Sequence, residues 1–131
     1  MRRHDWPERL DAYVESRRLE PFAFGSHDCC QFAAGAVEAI TGENPADRWH
    51  YADETEALQL LDLHGGVEGL VTIALGDPVH PSRAHRGDVV LAEFETGATA
   101  GICLGNECVF PVELGLRFVP RTAALKAWRV R

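Results

Sequence analysis

A chain of 131 residues, 46% hydrophobic and 25% charged, can bury one sizeable core but not two, which points to a single domain over residues 1–131. Its formal charge of −7 argues against nucleic acid as the main partner, because a phosphate-binding surface needs a clear excess of Lys and Arg. No run approaches the roughly 18 consecutive apolar residues of a bilayer span, and "MRRHDWPERL" lacks the apolar stretch of a signal peptide, so a soluble protein made in the cytoplasm is expected.

The first element read along the chain is a short amphipathic helix in "DWPERLDAYVESRRLE". Asp5 and Glu8 stand in a capping-box relation, Pro7 falls in the first turn, and Leu10, Tyr13, Val14 and Arg17 recur at helical spacing. "PFAFGSH" breaks it with Pro21 and Gly25 and reads as a connector pinned into the core. In "DCCQFAAGAVEAITG", Asp28 is an N-cap with Gln31 as its capping-box partner. Cys29, Ala33, Val37 and Ile40 share one face of this second helix, and Gly42 takes the left-handed C-cap position. "ENPADRWHYA" is an irregular, partly aromatic loop. Asp53 and Glu56 then open a third helix with Ala57, Leu60, Leu61 and His64 on one face, and Gly65 and Gly66 end it. "VEGLVTIAL" has helical spacing at Val67, Leu70, Val71 and Ala74, while its Val, Thr and Ile content keeps a strand open.

From Arg86 the period changes. "RGDVVLAEF" starts at a Gly-Asp turn and runs on as a strand, "ETG" is a turn, and "ATAGICLGNECVF" is a hairpin around Gly105 and Asn106. "GLRFVP" and "AWRV" are two more short strands. Helices first and an antiparallel meander second is the pattern of an α+β domain.

The chemistry concentrates at "GSHDCCQF". Cys29 lies in the first helical turn, where unsatisfied N–H groups and the helix dipole favour a thiolate. That suits a nucleophile, and equally a buried structural cysteine; spacing alone favours the latter. A nucleophilic cysteine needs a base, and none of the six histidines (His4, His27, His50, His64, His80, His85) falls inside a predicted strand. His27 is close enough to cover the helix start and reads as a stabiliser of the turn. A two-residue turn at Gly105 and Asn106 makes Cys103 and Cys108 face each other. With Cys29 and Cys30 they suggest a four-thiolate metal site, against which stand the adjacent cysteines, poorly placed to aim at one ion. Adjacent cysteines also argue against a disulfide framework, and no phosphate-binding glycine loop is present. From Arg117 to Arg131 the chain carries Arg117, Arg121, Lys126, Arg129 and Arg131 with no acid, either a solvated edge or a docking surface for an acidic protein.

"FAFGSHDCCQF", then "HRGDVVLAEF", then "AGICLGNE" resembles the NlpC/P60 superfamily of papain-like cysteine peptidases and amidases. More closely, "W..RL", "PF.xG.HDC", "RGDVV" and "G.CLG", spanning Trp6 to Trp128, resemble a small family of proteins encoded in phage and prophage tail modules. The resemblance implies a papain-like α+β fold with Cys29 at the nucleophile position, preceded by its N-cap Asp28, and no cofactor or metal. It places Thr99 where the superfamily has its catalytic histidine, and the third triad position near Pro111, with Glu113 the nearest polar residue. A threonine hydroxyl is no general base near neutral pH. The reading implied is therefore a degenerate domain that serves as a structural or assembly component of a tail tip. It is made in the bacterial cytoplasm, ends in the virion tail, and has other tail-tip proteins as partners. The alternative is an active cysteine peptidase or amidase that cleaves peptidoglycan stem peptides, with a histidine entering from a loop. By the two-residue period of a strand, Thr99, Gly101 and Cys103 are expected on one side, with Thr99 nearest the Cys29 thiol.

Overall fold

The computed structural model describes residues 1–131 as four helices followed by a five-stranded antiparallel sheet. Helix α1 (Trp6–Arg17) buries Leu10 and Val14, four residues apart on one face. Its expected capping box does not form. The Asp5 carboxylate instead pairs with Arg9, one turn on, at 2.9 Å, and no side chain caps the helix.

Helix α2 (Cys29–Thr41) is bounded as its sequence demands. Asp28 Oδ1 accepts the Gln31 N–H at 2.8 Å, and Gly42 closes the other end at φ 90°, where a side chain would be strained. Small residues let α2 lie close to α1: a Cβ on Gly35 would sit 2.3 Å from the Tyr13 hydroxyl oxygen, which donates to the Phe32 carbonyl. Helix α3 (Glu54–His64) is capped by Asp53. The doubtful segment after it is a helix, α4 (Gly66–Leu75), because Val67, Leu70 and Val71 all face the core.

Strands β1 (Val89–Phe94), β2 (Gly97–Cys103), β3 (Glu107–Pro111) and β4 (Leu116–Pro120) form the expected meander. β5 (Lys126–Trp128) leaves it and pairs with β1, giving the order β4-β3-β2-β1-β5. Alternation then sorts the sheet into two faces. Val89, Leu91, Ala100, Ile102, Val109 and Trp128 pack with Leu10, Phe32 and Ile40 of the helices. Val90, Ala92, Cys103, Cys108, Phe110 and Ala127 form a second cluster on the far face, with Ala84 and Ala124 of the flanking loops.

Asp88, at the turn into β1, is 2% exposed and ties distant parts of the chain together. Its carboxylate accepts from Arg2 at 2.9 Å, the His85 N–H at 2.9 Å and the Val130 N–H at 3.1 Å. The Arg2 guanidinium also donates to the Arg86 and Val130 carbonyls and lies over the Trp6 ring. The expected "RGD" turn is thus also the fastening point of both chain ends.

The basic run from Arg117 to Arg131 does not make one patch. Arg117 is on β4 and Lys126 on β5, the opposite edges of the sheet, and Lys126 is paired with Glu68 at 2.6 Å. Arg121 reaches the Ala84 carbonyl, and Arg117 lies over the Phe94 ring. No single helix is long and apolar enough to cross a membrane.

Candidate functional site

The start of α2 is held by a buried carboxylate with three donors. Besides the Gln31 N–H on Oδ1, Asp28 Oδ2 accepts the Gly25 N–H at 2.9 Å and the Tyr51 hydroxyl at 2.7 Å. Burial, and then the Asp28 carboxylate itself, push the Tyr51 phenol far above its ordinary pKa, so Tyr51 is a fixed O–H donor. Asp28 therefore fastens the "PFAFG" connector and the loop carrying Tyr51 to one helix end, and sets the direction in which Cys29 and Cys30 leave it.

The two thiols are half-buried and differ in kind. The adjoining Cys30 thiol, more than any other group, holds the Cys29 thiol below its ordinary pKa. Burial opposes it, and the Ala100 and Cys30 backbone N–H groups assist. Cys30 moves the opposite way, raised well above its ordinary value, first by the neighbouring Cys29 and then by burial. Cys29 is thus the more acidic thiol of the pair.

Phe22 and Phe24, stacked edge to face at 5.0 Å, roof the thiols together with Leu60, Leu61 and Tyr51. The connector is therefore not core: Phe24 is 37% exposed and forms the outer wall of this hollow. The hollow holds about 60 Å³, room for a few waters and far below the roughly 300 Å³ at which small-ligand pockets begin.

The strand beside Cys29 does not present Thr99. The register pairs Thr99 with Ala92, a member of the far cluster, and a Cβ on Gly101 would run into Phe110 on that side. Thr99, Gly101 and Cys103 do share one face, as expected, but it is the face away from α2. The Thr99 hydroxyl donates to the Gly97 carbonyl at 3.1 Å. Ala100 is the residue turned to the helices, and its backbone helps to lower the Cys29 pKa. Neither position offers a base, and Glu113 lies exposed in the turn between β3 and β4.

No histidine hydrogen-bonds to the Cys29 sulfur. His27 is buried at 2% exposure, edge-on to Phe32 at 6.0 Å, and neither of its ring nitrogens has a partner. Burial, and then nearby Arg17, depress its pKa, so His27 is a neutral core side chain while its backbone makes the Ala23 bridge of the turn. His64 packs edge-on to Trp49, His80 bonds to Ser82, and His4, His50 and His85 are exposed. Cys29 and Cys30 belong to the helix side of the sheet, and Cys103 and Cys108 to the far side. The four thiols therefore cannot meet at one ion.

Two participants escaped the sequence reading. Tyr51 sits in a loop whose spacing carries no signal of a contact 23 positions away, and Ala100 contributes through its backbone, which composition does not reveal. The contrast between the thiols makes a direct expectation. In a pH series of iodoacetamide labelling mapped by peptide mass spectrometry, the midpoint for Cys29 lies below the roughly 8.5 of a free cysteine and that for Cys30 above it. Coincident midpoints would contradict the opposite shifts of the two thiols.

No curated protein matches the chain. The model of one family, described as a domain of unknown function (DUF6950), matches residues 1–130, and so takes in the capped helix, the Gly-Asp turn and the whole sheet together. The chain belongs to that DUF6950 family.

Proposed function

We propose that this protein is a degenerate, papain-like domain of NlpC/P60 type that serves as a structural or assembly component of a phage or prophage tail tip. The resemblance of the motif order, with Gly25, Asp28 and Cys29 opening a helix and Gly87 and Asp88 opening the sheet, supports the ancestry. One observation carries the loss of chemistry: no imidazole is hydrogen-bonded to the Cys29 sulfur, and His27, the histidine nearest in sequence, is buried against Phe32 instead. A thiolate can be formed there, but no side chain stands ready to protonate a departing amine, a loss that costs on the order of 10² to 10⁴ in rate. The roofed hollow over the thiols also leaves no space for a peptide.

Purified protein and its Cys29→Ser variant, each incubated with isolated peptidoglycan, are expected to release the same background of soluble muropeptides. Deleting the gene from its phage or prophage is expected to yield particles with defective tails, and restoring it as Cys29→Ser to rescue them. Release of new peptide ends that depends on Cys29, or normal tails from the deletion, overturns the proposal. A second reading, an active peptidase or amidase acting on stem peptides, draws on the depressed pKa of Cys29, and the first of those outcomes would select it.

A further inference from the structure

The far face of the sheet carries a second thiol pair that the proposed function does not use. Cys103 ends β2 and Cys108 is the second residue of β3, and the register sets them directly opposite each other. The turn between them is tight: the Leu104 N–H donates to the Glu107 carbonyl at 2.7 Å, leaving only Gly105 and Asn106 in the loop, with Gly105 at φ 111°. The backbone groups of Cys103 are spent on the other neighbour. Its N–H donates to the Asp88 carbonyl and its own carbonyl accepts the Gly87 N–H, both at 2.8 Å. Cys103 and Cys108 are therefore a non-hydrogen-bonded antiparallel pair, the kind in which Cα atoms approach to about 4.5 Å and side chains stand closest. That separation lies inside the window of roughly 4.4–6.8 Å spanned by disulfides.

We propose that Cys103 and Cys108 are a redox site that closes into a reversible cross-strand disulfide on exposure to a peroxide. The Cys103 thiolate attacks one peroxide oxygen, breaking the O–O bond and giving a sulfenic acid and hydroxide, which takes up the proton that Cys103 released. Cys108 sulfur then attacks the Cys103 sulfur. The S–S bond forms, the S–O bond breaks, and the hydroxyl leaves with the Cys108 proton as a second water. Two thiols are oxidised and one peroxide is reduced to two waters.

The surroundings suit this order of events. The Cys103 S–H reaches the Gly105 carbonyl at 3.6 Å, and the neighbouring Cys108 thiol, against burial and with help from the Gly105 backbone and the Arg121 guanidinium, lowers the Cys103 thiol to about 6, while Cys103 raises Cys108. The first attacker and the resolving thiol are thus already distinguished. Both side chains are fully buried, so the oxidant must be small and must enter as the hairpin end opens locally. The site is independent of the tail-tip reading, since Cys29 and Cys30 lie across the sheet.

The test treats the folded full-length protein with hydrogen peroxide, blocks remaining thiols with N-ethylmaleimide under denaturing conditions, and maps the products by mass spectrometry. The expected result is loss of two hydrogens from the intact mass, two rather than four blocked thiols, a cross-linked peptide joining Cys103 to Cys108, and recovery of all four thiols after a reductant. In Cys108→Ala the expected product is a Cys103 sulfenic acid, trapped by dimedone. Because the wild-type peptide map does not depend on any variant folding, it decides the matter alone. Four blocked thiols after oxidation, a Cys29–Cys30 link in place of the Cys103–Cys108 link, or a Cys103–Cys108 link that forms only in unfolded protein each overturns the proposal.

Discussion

Asp88→Ala is expected to destabilise the fold by about 3–5 kcal/mol, the range for removing one partner of a buried ion pair. The side chain is almost wholly enclosed, and its loss strands three donors at once: the Arg2 guanidinium and the N–H groups of His85 and Val130. Arg2 is itself only 21% exposed, so its charge does not simply return to water. The damage also spreads along the chain, because the three donors come from three separate segments that meet at this carboxylate. Urea unfolding followed by circular dichroism measures the effect as a lower midpoint at unchanged slope. Asp88→Asn, which keeps an acceptor oxygen in place but gives up the charge, should fall between the two. A midpoint for Asp88→Ala that matches wild type would mean that the clamp contributes nothing to stability.

The second large effect is expected at Asp28. Asp28→Ala removes a helix cap, worth about 0.5–2 kcal/mol, together with charge-assisted hydrogen bonds from Tyr51 and Gly25. A total of about 3 kcal/mol follows, since hydrogen bonds to charged groups contribute roughly 1.5–3 kcal/mol each and these share one acceptor. Tyr51→Phe removes only one donor and should cost less. Asp28→Asn has a further consequence at the thiols. The carboxylate opposes ionisation of Cys29, so neutralising it stabilises the thiolate and moves the Cys29 alkylation midpoint to lower pH. A shift to higher pH would contradict the assigned electrostatics.

What could be read from the sequence was local. Asp28 as N-cap, Gly42 as C-cap and the Gly105-Asn106 turn are decided by neighbours within a few positions, and all three stand as expected. The opposition of Cys103 and Cys108 followed from the turn length alone. Asp5 met the same capping rule and departed from it because Arg9, one turn on, offered an ionic partner instead. The misplacement of Thr99 had a different origin: a strand's period tells which residues share a face but not which face meets the helices. That was settled by how Ala100 and Ile102 pack against α2. Asp88 was legible as a turn residue but not as a hub, since two of its three partners lie 86 and 42 positions away. The place of β5 beside β1 likewise depended on a long-range choice between two sheet edges.

The Arg2 side chain spans from the Val130 carbonyl to Asp88, so the two ends of the polypeptide meet at one corner beside the start of β1. Topologically the molecule is close to a ring. A short peptide joining the ends would add little loop-closure entropy, and new ends could be opened at the exposed Glu95-Thr96 tip, giving a circular permutant with the same strand neighbours. Cargo fused to either present end would leave from the same corner.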